Sequence, residues 1–218
     1  VEAMDGDDAT AMHTIAGLMA DGVVNLAPLQ DRPGWRSAAR ARPWVNCSEF
    51  VPEDDAPART EAPGGEPLTV PHVSIDHVLA ATDAVQYLVN RGHRRIALVN
   101  GDERHGYAHQ RRQGWAAALA RAGLAADPAL VVNTRDISYA GGAAAAAVLL
   151  SQPEPATAVF AVADALAIGV IKAMRRAGRR VPEDVAVVGF DDVPIAEVFE
   201  PGLTTIARSE ERRVGKEC

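Results

Sequence analysis

The chain has 218 residues, with 22 Lys and Arg against 29 Asp and Glu, a net charge of −7. That length is enough to bury a real core, as one large domain or two smaller lobes. The acidic balance gives no electrostatic footprint for DNA, and no run of 18 apolar residues exists to span a bilayer.

In chain order, residues 9–19 carry Met12, Ile15, Ala16 and Met19 at helical spacing, closed by Asp21-Gly22. Residues 23–27 and 43–47 read as short buried strands, with a weak helix over 35–42 between them. Residues 51–67, rich in Pro, Gly and acid, form a surface loop. A strand over 72–75 leads to Asp76, placed to cap a helix over 78–90 that Gly92 stops. Then follow a strand over 95–100, a helix over 110–122, a strand over 130–133 and an alanine-rich helix over 138–150. Residues 158–161 are a strand, 164–178 a helix ending at Gly178, and 185–190 a second buried strand. Strands alternating with helices predict an α/β protein built from parallel sheets wrapped by helices.

Catalytic signatures are absent: no G-x-G-x-x-G after a strand, no phosphate-binding loop, no G-x-S-x-G elbow and no H-E-x-x-H. No enzyme activity is assigned. Asp191 and Asp192 follow a strand, and in extended geometry they would point to opposite sides and share no substrate as acid and base. A single carboxylate at the carboxyl end of a strand suits a polar ligand, because open α/β sheets bind small molecules there. His105 and His109 lie four apart, but no third ligand converges and no metal is assigned. His13, His72 and His77 read as isolated surface or capping residues. Arg175, Arg176, Arg179 and Arg180 sit at a helix end, where cations favour the helix dipole. Cys47, in a predicted strand, reads as a small buried hydrophobe, and no cysteine framework calls for a disulfide, zinc or other cofactor.

Residues 157–206 resemble the effector-binding domain of the lac repressor (LacI/GalR) family of transcription regulators. Phe160, Asp164, Ala167, Gly169, Val181, Pro182, Asp184, residues 189–192, Pro201 and residues 203–206 match its pattern, and RGHRRIALVNG at 91–101 strengthens the likeness. The resemblance implies two Rossmann-like lobes with parallel sheets, periplasmic-binding-protein-like and truncated at both ends. An incomplete N-terminal subdomain would occupy residues 1–91, a C-terminal subdomain 92–200 and a return crossing 201–207. Residues 208–218, RSEERRVGKEC, break the pattern and back-translate to a common sequencing-library adapter; they read as foreign.

By the same resemblance a small polar effector, sugar-like or nucleobase-like, binds between the lobes. The intact protein would be a cytoplasmic homodimer that meets operator DNA only through a helix-turn-helix ahead of this segment, with no membrane partner. An exported sugar-binding protein of a transporter is the alternative, told apart by a signal peptide in place of the DNA-binding head. The family's ligand contacts map to Asp191, His109, Phe160, Ile137 and Ala163, with His105 and Tyr107 in the same loop. Gly92, His93, Arg111, Asp164 and Leu203 map to structural or hinge positions, with Asp164 expected to cap its helix. Three positions depart from the sugar binders. His109 stands where an arginine fork is common, Ala163 where an asparagine amide is common, and Ile137 where an aromatic ring stacks.

Overall fold

The computed structural model describes residues 21–25, 39–47, 71–103, 105–200 and 202–208. The expected helix over 9–19 and loop over 51–67 lie outside them, as do His13 and nearly all of the 208–218 segment. The chain divides into two compact units, Val1–Ile75 and Asp76–Cys218.

In the first unit β1 (Val23–Asn25), β2 (Trp44–Cys47) and β3 (His72–Val73) form a parallel sheet in that order. Val23 pairs with Trp44, and Asn46 with His72. Trp44 is buried, while the free thiol of Cys47 is half-buried rather than fully enclosed.

The second unit holds α1 (His77–Asn90), β4 (Ile96–Asn100), α2 (Gly106–Arg121), β5 (Val131–Asn133), α3 (Tyr139–Leu150), β6 (Ala158–Ala161), α4 (Asp164–Arg176), β7 (Ala186–Asp191), α5 (Pro194–Val198) and β8 (Thr204–Ala207). The sheet is parallel throughout, ordered β5-β4-β6-β7-β8. Right-handed crossovers put helices that step toward β5 on one face and those that step toward β8 on the other. Accordingly α1 packs on α2, and α3 on α4. Strands β4 and β6, covered on both sides, are buried along their whole length, which explains their unbroken apolar runs. The winding reverses between β4 and β6, so their carboxyl ends open the crevice where such sheets take ligands.

Asp76 accepts a hydrogen bond from the Leu79 N–H at 2.8 Å, and Gly92 ends α1 at φ 93°. The helix pairs meet closely. A Cβ on Gly114 of α2 would strike the Val78 carbonyl and sit 2.7 Å from Ala81 Cβ. The Trp115 indole donates to the Ile96 carbonyl at 3.1 Å, pinning α2 to β4.

Two details differ from the sequence reading. Helix α2 begins at Gly106, four residues early, because its alanine- and glycine-rich first turn lacks the apolar periodicity that marks a start. The short α5 was invisible for the same reason, being a single turn behind Pro194. The segment read as a returning strand is β8, whose Ala207 pairs with Asp191 of β7. α1 lies with the second compact unit.

Candidate functional site

β7 delivers Asp191 to the carboxyl edge of the sheet, where the chain turns sharply. Asp191 has φ 111° and Asp192 φ 56°, both in the region that side chains disfavour. The expected extended geometry, with the two carboxylates on opposite sides, is therefore corrected: the pair forms a turn. Such strain persists only where surroundings over-determine it. The restraint is Asp164. Its Oδ2 accepts from the Val193 N–H at 2.9 Å and its Oδ1 from the Thr205 hydroxyl at 2.5 Å. The Asp192 N–H in turn donates to Thr205 Oγ1 at 3.4 Å. Burial raises the Asp164 pKa, and these hydrogen bonds oppose the rise.

Asp164 is not the cap that the sequence implied. Ala163 holds the N-cap position of α4 without a side-chain bond, and the Asp164 carboxylate is committed to the Asp191 turn instead. Leu203 ties the approach to β8 to α5, its N–H donating to the Ala196 carbonyl at 3.0 Å.

Arg111 enters from α2, with a side chain only 5% exposed. Its Nη1 donates to the Val162 carbonyl and its Nε to His77 Nδ1 at 3.2 Å. The guanidinium lies 3.6 Å over the Phe190 ring centroid and 5.1 Å from that of Tyr107. Its Nη2 stands 3.8 Å from Asp191 Oδ1, close enough for an ion pair and too far for a hydrogen bond. Arg208 Nε lies 3.1 Å from the same oxygen, again an ion pair without hydrogen-bond geometry.

His77 corrects another expectation. It is buried on the first turn of α1, not on the surface, and its ring accepts from Arg111, which leaves the ring proton on Nε2. Burial, then the Arg111 charge, lowers its pKa to about 3, so the ring is neutral at pH 7.

The loop side of the site is built on Tyr107. Its ring lies against Gly101 beside Ile137, where an added Cβ would strike the phenol and sit 3.3 Å from Ile137 Cδ1. It also stacks on His105, with centroids 5.8 Å apart at 15°. Tyr107, His105, Ile137, Arg111 and Asp191 thus form one continuous rim. His109 is exposed, two residues and so over half a helical turn from the buried Arg111.

Two expected ligand contacts fall elsewhere. Phe160 has no exposed surface and packs 6.5 Å from Phe190, centroid to centroid. It sits in mid-strand, where the core face claims it, so it presents nothing to a ligand. Ala163 is buried under the α4 start. His93 braces the amino end of the sheet, with Nδ1 3.1 Å from Thr157 Oγ1. Arg180 pairs with Asp184 at 2.7 Å and Arg175 donates to the Glu200 carbonyl, as a solvated helix end would.

Sequence reasoning missed His77, Phe190, Thr205 and Asn100. Asn100 alone carried a signal, being the one polar side chain in the apolar run of β4. Among the described residues no cluster of three His, Cys, Asp or Glu could hold a metal, and no helix is long and apolar enough to cross a membrane.

Residues 85–217 match the model of the periplasmic binding protein-like domain. The HTH-type transcriptional repressor CytR of Escherichia coli (strain K12) is 37% identical over 176 residues, which covers 81% of this chain and 47% of that protein. A solved complex of the transcriptional regulator CelR with cellobiose superposes with TM-score 0.79 at 32% identity, covering 92% of this chain and 58% of that one. A sugar-binding transcriptional regulator of the LacI family from Escherichia coli, complexed with phosphate, gives TM-score 0.74 at 27% identity over 91% of this chain and 66% of that one. The chain spans about half the length of the curated relatives it matches. It belongs to the periplasmic binding protein-like domain family, in the LacI/GalR branch whose members serve transcription regulators as effector-binding domains.

Proposed function

We propose that this domain senses a small, polar, neutral effector at the carboxyl ends of β4, β6 and β7. In the whole protein, occupancy would set the affinity of a DNA-binding head for its operator. The observation that carries the reading is Asp191: an acceptor-only carboxylate, 20% exposed, held at positive φ. A structure spends strain and a buried Asp164 on such a turn when the side chain it aims has work to do. A carboxylate suits the hydroxyls of a sugar or the N–H groups of a base. Tyr107 and Ile137 supply apolar surface, and His105 supplies a hydrogen-bonding ring at the rim.

In the same proposal the whole protein is a cytoplasmic homodimer without catalytic activity. Effector and operator affinities are reciprocally coupled, because each ligand shifts the equilibrium that the other reads. The repressor and regulator relatives favour this over an exported binding protein. The test is a titration of the whole protein with the DNA upstream of its own gene, alone and with millimolar cellobiose, D-ribose or uridine. Binding with a midpoint that one compound moves about tenfold (about 1.4 kcal/mol of coupling) is expected. No DNA binding, or binding that none of them moves, would refute it.

A further inference from the structure

Asn100 is the last residue of β4 and has no exposed surface. Neither its Oδ1 nor its Nδ2 meets a hydrogen-bond partner among the described residues. Its backbone carbonyl, by contrast, accepts both the Thr134 N–H and the Thr134 hydroxyl at 2.9 Å. A buried carboxamide left unpaired is costly, and each one calls for a partner such as an ordered water, an ion or a ligand.

Register locates the amide. Leu98 pairs with Phe160, and Phe160 with Val188. Alternation along the strands puts Asn100 on the sheet face of Leu98, Phe160 and Phe190. That is the face on which the Arg111 guanidinium covers Phe190. Next to residue 100 runs Val162, whose N–H donates to the Val99 carbonyl at 3.0 Å and whose own carbonyl takes Arg111. The β4 and β6 ends are also where the winding of the sheet reverses. Tyr107 lies over the adjoining Gly101, and α2 starts there from His105 without a side-chain cap.

We propose that Asn100 is a further specificity-determining contact of the effector site, presented at the carboxyl end of β4. Its carbonyl accepts from, and its NH₂ donates to, adjacent groups of a neutral ligand. The chemistry it fits is a neighbouring donor and acceptor, supplied either by a vicinal diol or by the amide edge of a base. This rests on the effector-binding reading above.

The experiment compares the 218-residue chain with Asn100→Val, Asn100→Ala and Asp191→Asn. Melting is followed without ligand, and calorimetric titration uses cellobiose, D-ribose and uridine separately. The sugars test the diol, and uridine, which carries a diol and an amide edge, is compared with ribose to test the base. Without ligand, Asn100→Val should melt no lower than wild type, because it removes polar atoms that have no partner. Its affinity for the compound wild type binds should fall at least about tenfold, with Asn100→Ala behaving alike. Equal affinity in both Asn100 variants would overturn the proposal, and so would a clear fall in the melting point of the valine variant. If valine overfills the site and the variant does not fold, the alanine variant's affinity decides. Asn100 variants weakened while Asp191→Asn binds normally would sink the Asp191 reading and leave this one standing. No uptake of any compound by wild type would fail the effector reading, while the ligand-free melts would still judge the amide.

Discussion

Replacing Asp164 with alanine should unlock the Asp191 turn, and the structure sets the size of the effect. The carboxylate accepts from Val193 N–H at 2.9 Å and from the Thr205 hydroxyl at 2.5 Å, both at a charged acceptor. Hydrogen bonds to a charged group contribute about 1.5–3 kcal/mol each. Against this, alanine recovers the desolvation penalty of a carboxylate that burial already holds above its ordinary pKa. The net loss is about 3 kcal/mol, or roughly 6–12 °C in Tm for a chain of this size. Circular dichroism melts at pH 7 read it directly. Thr205→Val removes one of the two bonds and should cost about half. The double variant should cost less than the sum, because both act through one network. An Asp164→Ala melt within about 2 °C of wild type would show that the turn holds its shape unaided.

The other predictions concern packing, protonation and capping. Gly114→Val should lower Tm by roughly 2–12 °C through overpacking between α1 and α2, whereas Gly202→Ala, whose new Cβ would come no nearer than 3.9 Å to any atom beyond its chain neighbours, should leave it unchanged. His77 has a folded pKa of about 3 against 6.5 unfolded. Its contribution to stability is complete above pH 6.5 and is lost as pH falls toward 3, at up to about 1.4 kcal/mol per pH unit. His77→Gln keeps an acceptor for Arg111 without titrating, so its melting point should fall less than wild type's between pH 7 and pH 5. An identical pH slope would show that His77 does not control it. Ala163→Ser should supply the missing side-chain cap of α4 and raise Tm by a few degrees, about 1 kcal/mol; a lower Tm would mean that the buried site rejects the hydroxyl.

The alternation of strands and helices was legible because buried parallel strands and helix stops leave plain marks. The run IALVN is apolar but for its last residue, and Gly92 and Gly178 stand where positive φ ends a helix. The place of Asp191 was legible for a similar reason, since a carboxylate following such a strand emerges at the carboxyl edge of the sheet. The partners that aim it were not. Thr205 lies 41 residues from Asp164, and His77 lies 34 from Arg111. Such pairings depend on strand order, which local pattern does not encode. Phe160 was readable both ways, because an aromatic in a short strand fits a ligand wall and a core equally well; its full burial against Phe190 decides for the core. Asp164 misled, for an aspartate at a helix start caps by default unless a tertiary donor outbids the helix. Here Val193 and Thr205 do so.

Effector binding through Asp191 is tested most directly by isothermal titration calorimetry of wild type and Asp191→Asn against cellobiose, D-ribose and uridine. Asparagine preserves size while removing the charge that accepts the ligand's hydroxyl or N–H protons. At least one compound should bind wild type and bind the variant about tenfold more weakly or worse, with circular dichroism unchanged. Equal affinity in the two proteins would contradict the account and move the binding site away from the end of β7.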